Sequence, residues 1–233
     1  LLGVMPWLDV DLEDEDGVAL QAGKYHRTDR RDIDIAVVHL PHIANFTDFN
    51  ALAVQPDVRV RYVRDPQALA DADLVILPGS KNTLGDLCWL RESGMAHAVE
   101  QARQRKVPLL GICGGYQMMG QEVLDPEHVE GDIERLPGLG LLPISTRMSG
   151  EKVTRQVKFG LCNPHSPSST LHSPFMQGYE IHMGVTTPVE GTPDSPLNLL
   201  ENGSTDGYYV DSTCMGTYIH GILDNPEFID FLL

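Results

Sequence analysis

The stretch from Val107 to Gly120 constrains this chain most, because it holds a cysteine followed directly by two glycines. The apolar run 109–112 predicts a buried strand, and the residues from Tyr116 onward have a helix-like pattern. A tight turn between them, a nucleophile elbow, would lift the Cys113 side chain clear of a sheet, and glycines suit such a turn because they accept unusual backbone angles. A helix N-terminus behind Cys113 would favour the reactive thiolate. The pattern also fits a small buried cysteine in a strand-loop-helix crossover, and both interpretations stand at this point.

Strands and helices alternate after residue 30. Apolar or alternating runs predict four strands, at Ile33–Leu40, Val58–Val63, Leu74–Leu77 and Leu109–Ile112. Helical patterns lie between them, at Phe46–Leu52 with Asn45 as its N-cap, after Pro66, and at Leu84–Glu92 and Met95–Arg105. The alternation predicts an α/β domain with an open, mostly parallel, doubly wound sheet flanked by helices.

The second half of this domain predicts additional β structure. Four β-like segments are predicted there, at Gly140–Arg147, Arg155–Phe159, Gly178–Gly184 and Cys214–Gly221. A loop rich in Pro, Ser and His should run from 162 to 174, and a helix should begin at Pro226. Residues 1–30 differ in carrying an acidic run. We expect 1–30 to be the tail of a preceding domain plus a linker, and 31–233 to be the main domain.

The charge balance limits the partners. Lys and Arg number 17 against 33 Asp and Glu, so the formal net charge is -16. This argues against nucleic acid or an anionic membrane surface as the main partner. No apolar run approaches the roughly 20 residues that span a bilayer. The four cysteines show no closely spaced pair, so we expect neither a zinc site nor a disulfide framework, but a reduced, cytoplasmic setting.

A thiol nucleophile needs a base, most often a histidine. His220 is predicted at a strand end, where ligands of open parallel sheets gather. His182 has a similar context and is its main rival, whereas His165 and His172 fall in the polar loop, where solvated histidines are the default. On the residues alone, the choice between His220 and His182 stays open.

Acyl chemistry also needs donors for a developing oxyanion. The amide of Gly114, directly after the cysteine, is one candidate. Gly79 follows the third predicted strand, so its loop can lie beside the elbow and its amide is a second candidate. The loop 79–83 contains Gly, Ser, Lys and Thr but lacks the GxxxxGK[ST] spacing of a phosphate loop, which is absent elsewhere in the chain too.

The motif Gly111-Ile-Cys-Gly-Gly-Tyr-Gln117 resembles the elbow of the class I glutamine amidotransferases, in which a cysteine attacks the side-chain amide of glutamine. The chain from about residue 33 onward closely resembles the C-terminal amidotransferase domain of the cobyric acid synthase family. Three further stretches carry that resemblance, and the first two are much more selective than the elbow: Leu77-Pro-Gly-Ser-Lys-Asn-Thr-Leu-Gly-Asp86, Gly178-Tyr-Glu-Ile-His-Met-Gly184 and Gly216-Thr-Tyr-Ile-His-Gly-Ile-Leu-Asp-Asn225.

This resemblance implies a glutamine-hydrolysing domain that works through a Cys113 thioester with His220 as base. It implies that Gln117 contacts the substrate glutamine and that Gly79 and Gly114 form the oxyanion hole. It further implies no metal or cofactor in this chain, with ATP and Mg used by an N-terminal synthetase domain whose final segment residues 1–30 resemble. There, ammonia would amidate a corrinoid carboxylate of adenosylcobyrinic acid a,c-diamide on the route to cobalamin, giving adenosylcobyric acid.

The chain departs from the class at one position. Many class I enzymes have a glutamate two residues after the histidine, where this chain has Ile222. The expectation is therefore a Cys-His dyad, with Glu180 or Asp224 as candidates for a third acid and Glu180 also as a substrate contact. Two alternatives stand beside this reading: an amidotransferase for another acceptor, such as cobyrinic acid or a cell-wall lipid precursor, and a degenerate domain that only binds a partner.

Overall fold

The computed structural model describes residues 32–162 and 175–233. The expectations for segment 1–30 and for the loop histidines His165 and His172 lie outside those residues. The strands of the described part are, in chain order, β1 Ile33–Val38, β2 Ile43–Ala44, β3 Val58–Val63, β4 Leu74–Leu77, β5 Gly79–Ser80, β6 Leu109–Ile112, β7 Glu122–Leu124, β8 Arg135–Pro137, β9 Ile144–Leu161, β10 Met176–Pro188, β11 Asn198–Leu200, β12 Thr205–Asp206, β13 Tyr208–Asp211, β14 Cys214–Thr217 and β15 Ile219–His220. The α-helices are α1 Asn50–Ala53, α2 Thr83–Glu92, α3 Met95–Gln104, α4 Gly114–Met118 and α5 Pro226–Leu232, and 3-10 turns cover Phe46–Phe49, Pro66–Leu69 and Ile222–Asp224.

The main sheet has six strands in the order β13-β14-β6-β4-β1-β3. All neighbours in it are parallel except β13, which runs antiparallel to β14. Strands β4, β6 and β14 are buried at every position, as expected of parallel strands covered on both faces. The predicted α/β architecture with a mostly parallel sheet and helices is confirmed, and the four strands predicted in the first half are present.

A second sheet carries the additional β structure, in the order β12-β11-β9-β10-β15, with β7 and β8 beside β9. Its main feature is the antiparallel pair β9–β10, which runs from Ile144 opposite Pro188 to Phe159 opposite Met176, with a register shift between Met183 and Val185. The two strands predicted at 140–147 and 155–159 are in fact one strand of 18 residues. The polar residues between them interrupt the apolar pattern because this part of β9 is largely exposed, and it includes the residues 148–151 opposite the register shift.

The segment predicted as one strand at 214–221 belongs to both sheets. Strand β14 pairs with β6 in the main sheet, and β15 pairs with β10 in the second sheet, with buried Tyr218 between them. The chain therefore crosses from one sheet to the other at Tyr218, and this crossing carries His220 to the junction of the two sheets.

The turn after β2 also differs from the prediction. Asn45 does not cap the following turn with its side chain, and its φ of 52° lies in the left-handed region. Its side-chain amide instead donates to the hydroxyl of Tyr179 at 2.9 Å. The backbone then forms a 3-10 turn and the four-residue helix α1, in which Phe46, Phe49 and Leu52 are buried. None of the helices in the described ranges is long and apolar enough to cross a membrane.

Candidate active site

Cys113 lies on the tight turn between β6 and α4, as the sequence predicts. Its φ of 51° and ψ of -110° are unusual for a residue with a side chain, and such backbone strain concentrates at functional sites. The turn is close-packed, because a Cβ atom on Gly115 would lie 1.9 Å from the carbonyl oxygen of Leu77. Glycine is therefore required at position 115, where the elbow helix meets the end of β4.

Pairing in the main sheet brings the end of β14 to this turn. Strands β6 and β14 are parallel, with Ile112 opposite Thr217, and the Cys113 amide donates to the Thr217 carbonyl at 2.8 Å. Because the carboxyl ends of parallel neighbours meet at one edge of the sheet, the residues after Thr217 enter the region of the thiol. His220 is the third of them.

His220 is almost fully buried, and its imidazole lies close enough to the Cys113 side chain for the two groups to affect each other's charge. Burial alone would lower the pKa of the imidazole, but hydrogen bonds to Asp48 and Cys113 raise this pKa to about 10. The Nδ1 atom is occupied by Asp48, which leaves Nε2 to face the thiol. The structure thus brings the predicted cysteine and histidine together.

The acid at this histidine is Asp48, a residue that no sequence motif predicts. Its Oδ2 atom lies 2.7 Å from His220 Nδ1, and its Oδ1 atom accepts a hydrogen bond from the Gly221 amide at 3.2 Å. The two side chains are 2% and 4% exposed. Asp48 is 172 residues from His220 in the chain, so no local spacing pointed to it. The feature of the sequence that could have indicated Asp48 is its position between two aromatic residues, Phe46 and Phe49, which are buried.

The two acids that the sequence offered occupy other places. Glu180 is buried and forms an ion pair with Arg155 of the neighbouring strand. Asp224 is exposed on the 3-10 turn after β15 and lines an open groove with Tyr179 and Asn225. Ile222, at the position of the class glutamate, is completely buried. Because Gly221 adopts a φ of 68°, the chain turns sharply between the histidine and that position.

Gly114 and Gly79 lie on adjacent segments. A Cβ atom on Gly114 would be 2.8 Å from the Ser80 amide nitrogen, and one on Gly79 would be 3.1 Å from Cε1 of His220. Gly79 pairs with Ala44 across the short β2–β5 ladder, two residues from the hydrogen bond that Lys81 donates to His42. The alternation of antiparallel pairs makes this a hydrogen-bonded pair, which directs the Gly79 amide toward Ala44.

Gln117 is buried, and its amide group is engaged within the protein. Its Oε1 accepts from the Thr83 hydroxyl at 3.0 Å, while its Nε2 donates to the Met183 carbonyl at 2.8 Å and the Tyr218 hydroxyl at 3.1 Å. These three bonds use both Nε2 protons. Gln117 therefore connects the elbow helix to α2, to β10 and to the crossing between the two sheets.

His182, the rival base, has a different environment. Its ring stacks on Tyr218 with centroids 3.8 Å apart, and its pKa is lowered, mainly by burial. With Arg155, Glu180 and Tyr116, it lines a cavity of about 320 Å³. Strand β10 also borders the thiol, since the Ile181 carbonyl oxygen lies 3.5 Å from Cys113 Sγ.

No group of three or more His, Cys, Asp or Glu side chains in 32–162 and 175–233 is arranged to hold a metal ion. The described site consists instead of a thiol on a strained turn, an imidazole at that thiol and a carboxylate at the imidazole. This arrangement suits nucleophilic attack on a carbonyl carbon, with the imidazole moving the proton.

Residues 34–228 match the family model of the CobB/CobQ-like glutamine amidotransferase domain. The chain is 66% identical over 240 residues to a cobyric acid synthase of Klebsiella pneumoniae and 54% identical over 234 residues to one of Bacteroides fragilis. Each alignment covers 100% of this chain and 46% of the relative. The chain thus spans about half the length of these curated relatives.

Solved structures share the fold at much lower identity. A crystal structure of a glutamine amidotransferase superposes with a TM-score of 0.64 at 17% identity, covering 85% of this chain and 96% of that chain. The structure of PurLQS from Thermotoga maritima gives a TM-score of 0.60 at 19% identity, with 81% and 87% covered. These structural similarities support the assignment of the fold, and the match to the family model identifies the family. The chain belongs to the family of CobB/CobQ-like glutamine amidotransferase domains.

Proposed function

We propose that this domain hydrolyses glutamine to glutamate and ammonia through a thioester on Cys113. The observation that carries the proposal is the Cys113 thiol on a strained elbow, beside the buried imidazole of His220. An imidazole in that place can hold the thiol as thiolate and later protonate a leaving group. A structural cysteine would need neither the strained turn nor the histidine.

The proposed reaction balances with water as co-substrate. In the resting site the proton of Cys113 Sγ already lies on His220 Nε2, and the thiolate attacks the side-chain carbonyl carbon of glutamine. The tetrahedral oxyanion takes a hydrogen bond from the Gly114 amide. The C–N bond then breaks, His220 returns its proton to the departing nitrogen as ammonia, and water hydrolyses the thioester to glutamate and the free thiol.

The proposed roles of the other predicted residues differ in how directly they fit the geometry. Gly79 can serve as a second oxyanion donor only once its amide turns away from Ala44. Gln117 can contact substrate only by exchanging one of its three internal bonds, so we propose that it mainly holds the walls of the site. The cavity beside the elbow carries charges of both signs, from Arg155 and Glu180, which suits the ammonium and carboxylate groups of an amino acid.

We further propose that the ammonia serves an ATP- and Mg-dependent synthetase domain of the same polypeptide, in the cytoplasm. Relatives named cobyric acid synthase are about twice as long as this chain and align along all of it. The proposed acceptor is adenosylcobyrinic acid a,c-diamide, bound mainly by that other domain. The competing acceptors are cobyrinic acid and a cell-wall lipid precursor.

Covalent labelling tests the glutaminase proposal against the partner-binding alternative. A glutamine-mimicking electrophile should modify Cys113 in the full-length protein, and glutamine should protect it. Cys214 is the internal control, because burial raises the pKa of its thiol to about 12 and keeps it protonated. A Cys113 that stays unlabelled while the wild-type protein lacks glutaminase activity would establish the partner-binding alternative.

The acceptor is tested by comparing two nitrogen sources in the full-length protein. With ATP and Mg, the wild type should amidate adenosylcobyrinic acid a,c-diamide with either glutamine or ammonium. Cys113→Ser should lose the glutamine-dependent reaction and retain the ammonium-dependent one. Amidation of cobyrinic acid or of a cell-wall lipid precursor in its place would assign the domain to another acceptor.

A further inference from the structure

We infer that Asp48 is the residue that positions His220, completing a Cys113–His220–Asp48 triad whose acid comes from the opposite part of the sequence. The inference rests on the proposed glutamine hydrolysis and adds a residue to it. It also accounts for Ile222 at the usual acid position, because the imidazole already has its carboxylate from another element.

The turn that carries Asp48 is fixed from several sides. Its flanking aromatics, Phe46 and Phe49, are buried in the core. The Tyr62 hydroxyl donates to the Phe46 carbonyl at 2.9 Å, and the Asp48 amide donates to the Asn45 carbonyl at 3.0 Å. The packing of this turn therefore directs the Asp48 carboxylate toward β15. Asp48 is not a flexible side chain on the surface.

Both carboxylate oxygens of Asp48 are used at the site. Oδ2 contacts His220 Nδ1 at 2.7 Å, and Oδ1 accepts from the next residue's amide at 3.2 Å. A two-point contact fixes the plane of the carboxylate as well as its distance. It holds a proton on Nδ1 in both the charged and the neutral ring, so the proton that His220 exchanges during the reaction is the one on Nε2. When the imidazolium forms, the carboxylate stabilises its charge.

A second contact holds the imidazole from the side. The ring of Tyr179 stacks on His220 with centroids 5.3 Å apart and planes at 21°, and its hydroxyl accepts from Asn45, three residues before Asp48. The same short segment thus holds the imidazole directly and through Tyr179. The titratable groups around His220 are Asp48, Cys113, Tyr179 and, further along β10, His182.

The decisive variant is Asp48→Asn in the full chain. The amide keeps an oxygen for the Gly221 amide but presents a nitrogen to His220 Nδ1, so it forces the tautomer with the proton on Nε2. We expect glutamine turnover to fall by about 100- to 10,000-fold with little change in KM, since the matching change in a serine-protease triad costs about 10,000-fold. We also expect iodoacetamide to alkylate Cys113 more slowly at neutral pH than in the wild type, because the imidazole would no longer hold the thiolate form.

The matched control is Asp71→Asn, the same change at an exposed acid, which should leave turnover and alkylation unchanged. Normal turnover in Asp48→Asn would overturn the inference while leaving the proposed function intact. Reduced turnover with an unchanged rate of Cys113 alkylation would also overturn it, because Asp48 would then act on the fold and not on the imidazole. Absence of turnover in the wild type would count against the proposed function instead.

A measurement on the wild-type protein tests the role of Asp48 even if Asp48→Asn does not fold. Nitrogen-15 NMR of the histidine ring reports which nitrogen carries the proton. We expect His220 Nδ1 to be protonated, with its proton shifted strongly downfield by the carboxylate. A neutral His220 with its proton on Nε2 would refute the assignment of Asp48, whether or not the chain hydrolyses glutamine.

Discussion

Two opposing effects act on His220. Burial disfavours the imidazolium, whereas the hydrogen bonds from this ring to Asp48 and Cys113 favour it, and the net result is a pKa of about 10. At the less deeply buried His182, burial outweighs the charge of Glu180 and a hydrogen bond with the Gly184 backbone, and the pKa is lowered. The carboxylate therefore lets a buried base carry charge at physiological pH.

This raised pKa predicts a pH-dependent stability. The pKa of His220 is higher in the folded chain than its ordinary value of 6.5. The resulting stabilisation is fully present below about pH 6.5 and is lost as the pH rises through about 10. We expect the Tm of the wild type to exceed that of His220→Gln by more at pH 6 than at pH 10.

A loss of 1 kcal/mol shifts Tm by about 2–4 °C in a chain of this size, which thermal melts resolve. His97→Gln is the control, because the His97 side chain is 72% exposed and its replacement should give the same small difference at both pH values. An equal gap for His220→Gln at pH 6 and pH 10 would contradict the pKa assigned to the folded state.

At the scale of single residues, the sequence predicts Cys113 and His220 as site residues but does not predict Asp48. The cysteine stands in a local motif, and the histidine stands at the end of a recognisable strand. Asp48 becomes visible only through a contact 172 residues away, and its turn reads as an ordinary short helix. The prediction of Asn45 as the cap of that helix is wrong for a similar reason. The hydrogen bond from Asn45 to Tyr179 also joins distant parts of the chain.

Among the structural elements, the elbow is the one most tightly limited by its neighbours. Helix α4 approaches the end of β4 so closely that a Cβ on Gly115 would meet the Leu77 carbonyl oxygen at 1.9 Å. A Cβ on Gly111 would lie 2.5 Å from the Met119 sulfur and 2.8 Å from the backbone Cα of Tyr116. Backbone atoms therefore limit both positions, and the contact at position 115 is the closer of the two.

We therefore expect Gly115→Ala to destabilise the fold by about 3 kcal/mol, at the upper end of the cost of overpacking a core. Urea denaturation measures this loss. Gly150→Ala is the matched control, because nothing lies within 4 Å of a Cβ at that position, and it should change stability by less than about 0.5 kcal/mol. Equal midpoints for the two variants would show that the elbow and β4 are not packed as described.

The prediction of elements succeeded where burial and hydrogen bonding coincide. Strands β4 and β6 have the predicted bounds because both faces are buried, so that the apolar run and the paired backbone end together. The sequence predicts two strands in place of β9, because the middle of β9 is largely exposed and includes the residues opposite the register shift in β10. The hydropathy pattern indicates which face of a strand is buried. It does not indicate how far the hydrogen-bonded pairing between two strands extends.

Across the whole molecule, Asp206 joins the two sheets where the chain crosses between them. This residue of β12 is buried, and its carboxylate accepts from Asn198 Nδ2 at 2.9 Å, from the Tyr218 amide at 2.9 Å and from the Thr217 hydroxyl. Burial raises the pKa of Asp206. The three donors compensate for the loss of water around the carboxylate.

Asp206→Ala should therefore loosen the junction. It leaves the Thr217 hydroxyl and the Tyr218 amide without an acceptor, whereas Asn198 Nδ2 keeps Thr217 Oγ1 at 3.2 Å. Each unpaired donor costs about 1–3 kcal/mol, so we expect a loss of at least about 2 kcal/mol in the free energy of unfolding. Hydrogen exchange should rise at the Tyr218 amide and along β12. Asp132→Ala, at an exposed acid, is the control. A variant of Asp206 as stable as this control would show that the junction does not depend on the carboxylate.

The separation between Asp48 and His220 has a consequence for the chain during its synthesis. Cys113 leaves the ribosome before His220, and the turn with Asp48 leaves before both. Until β15 closes onto that turn, Cys113 lies apart from the imidazole and carboxylate that would activate it. Contacts between residues so distant in the chain form slowly, so under the proposed mechanism the site is completed late in folding.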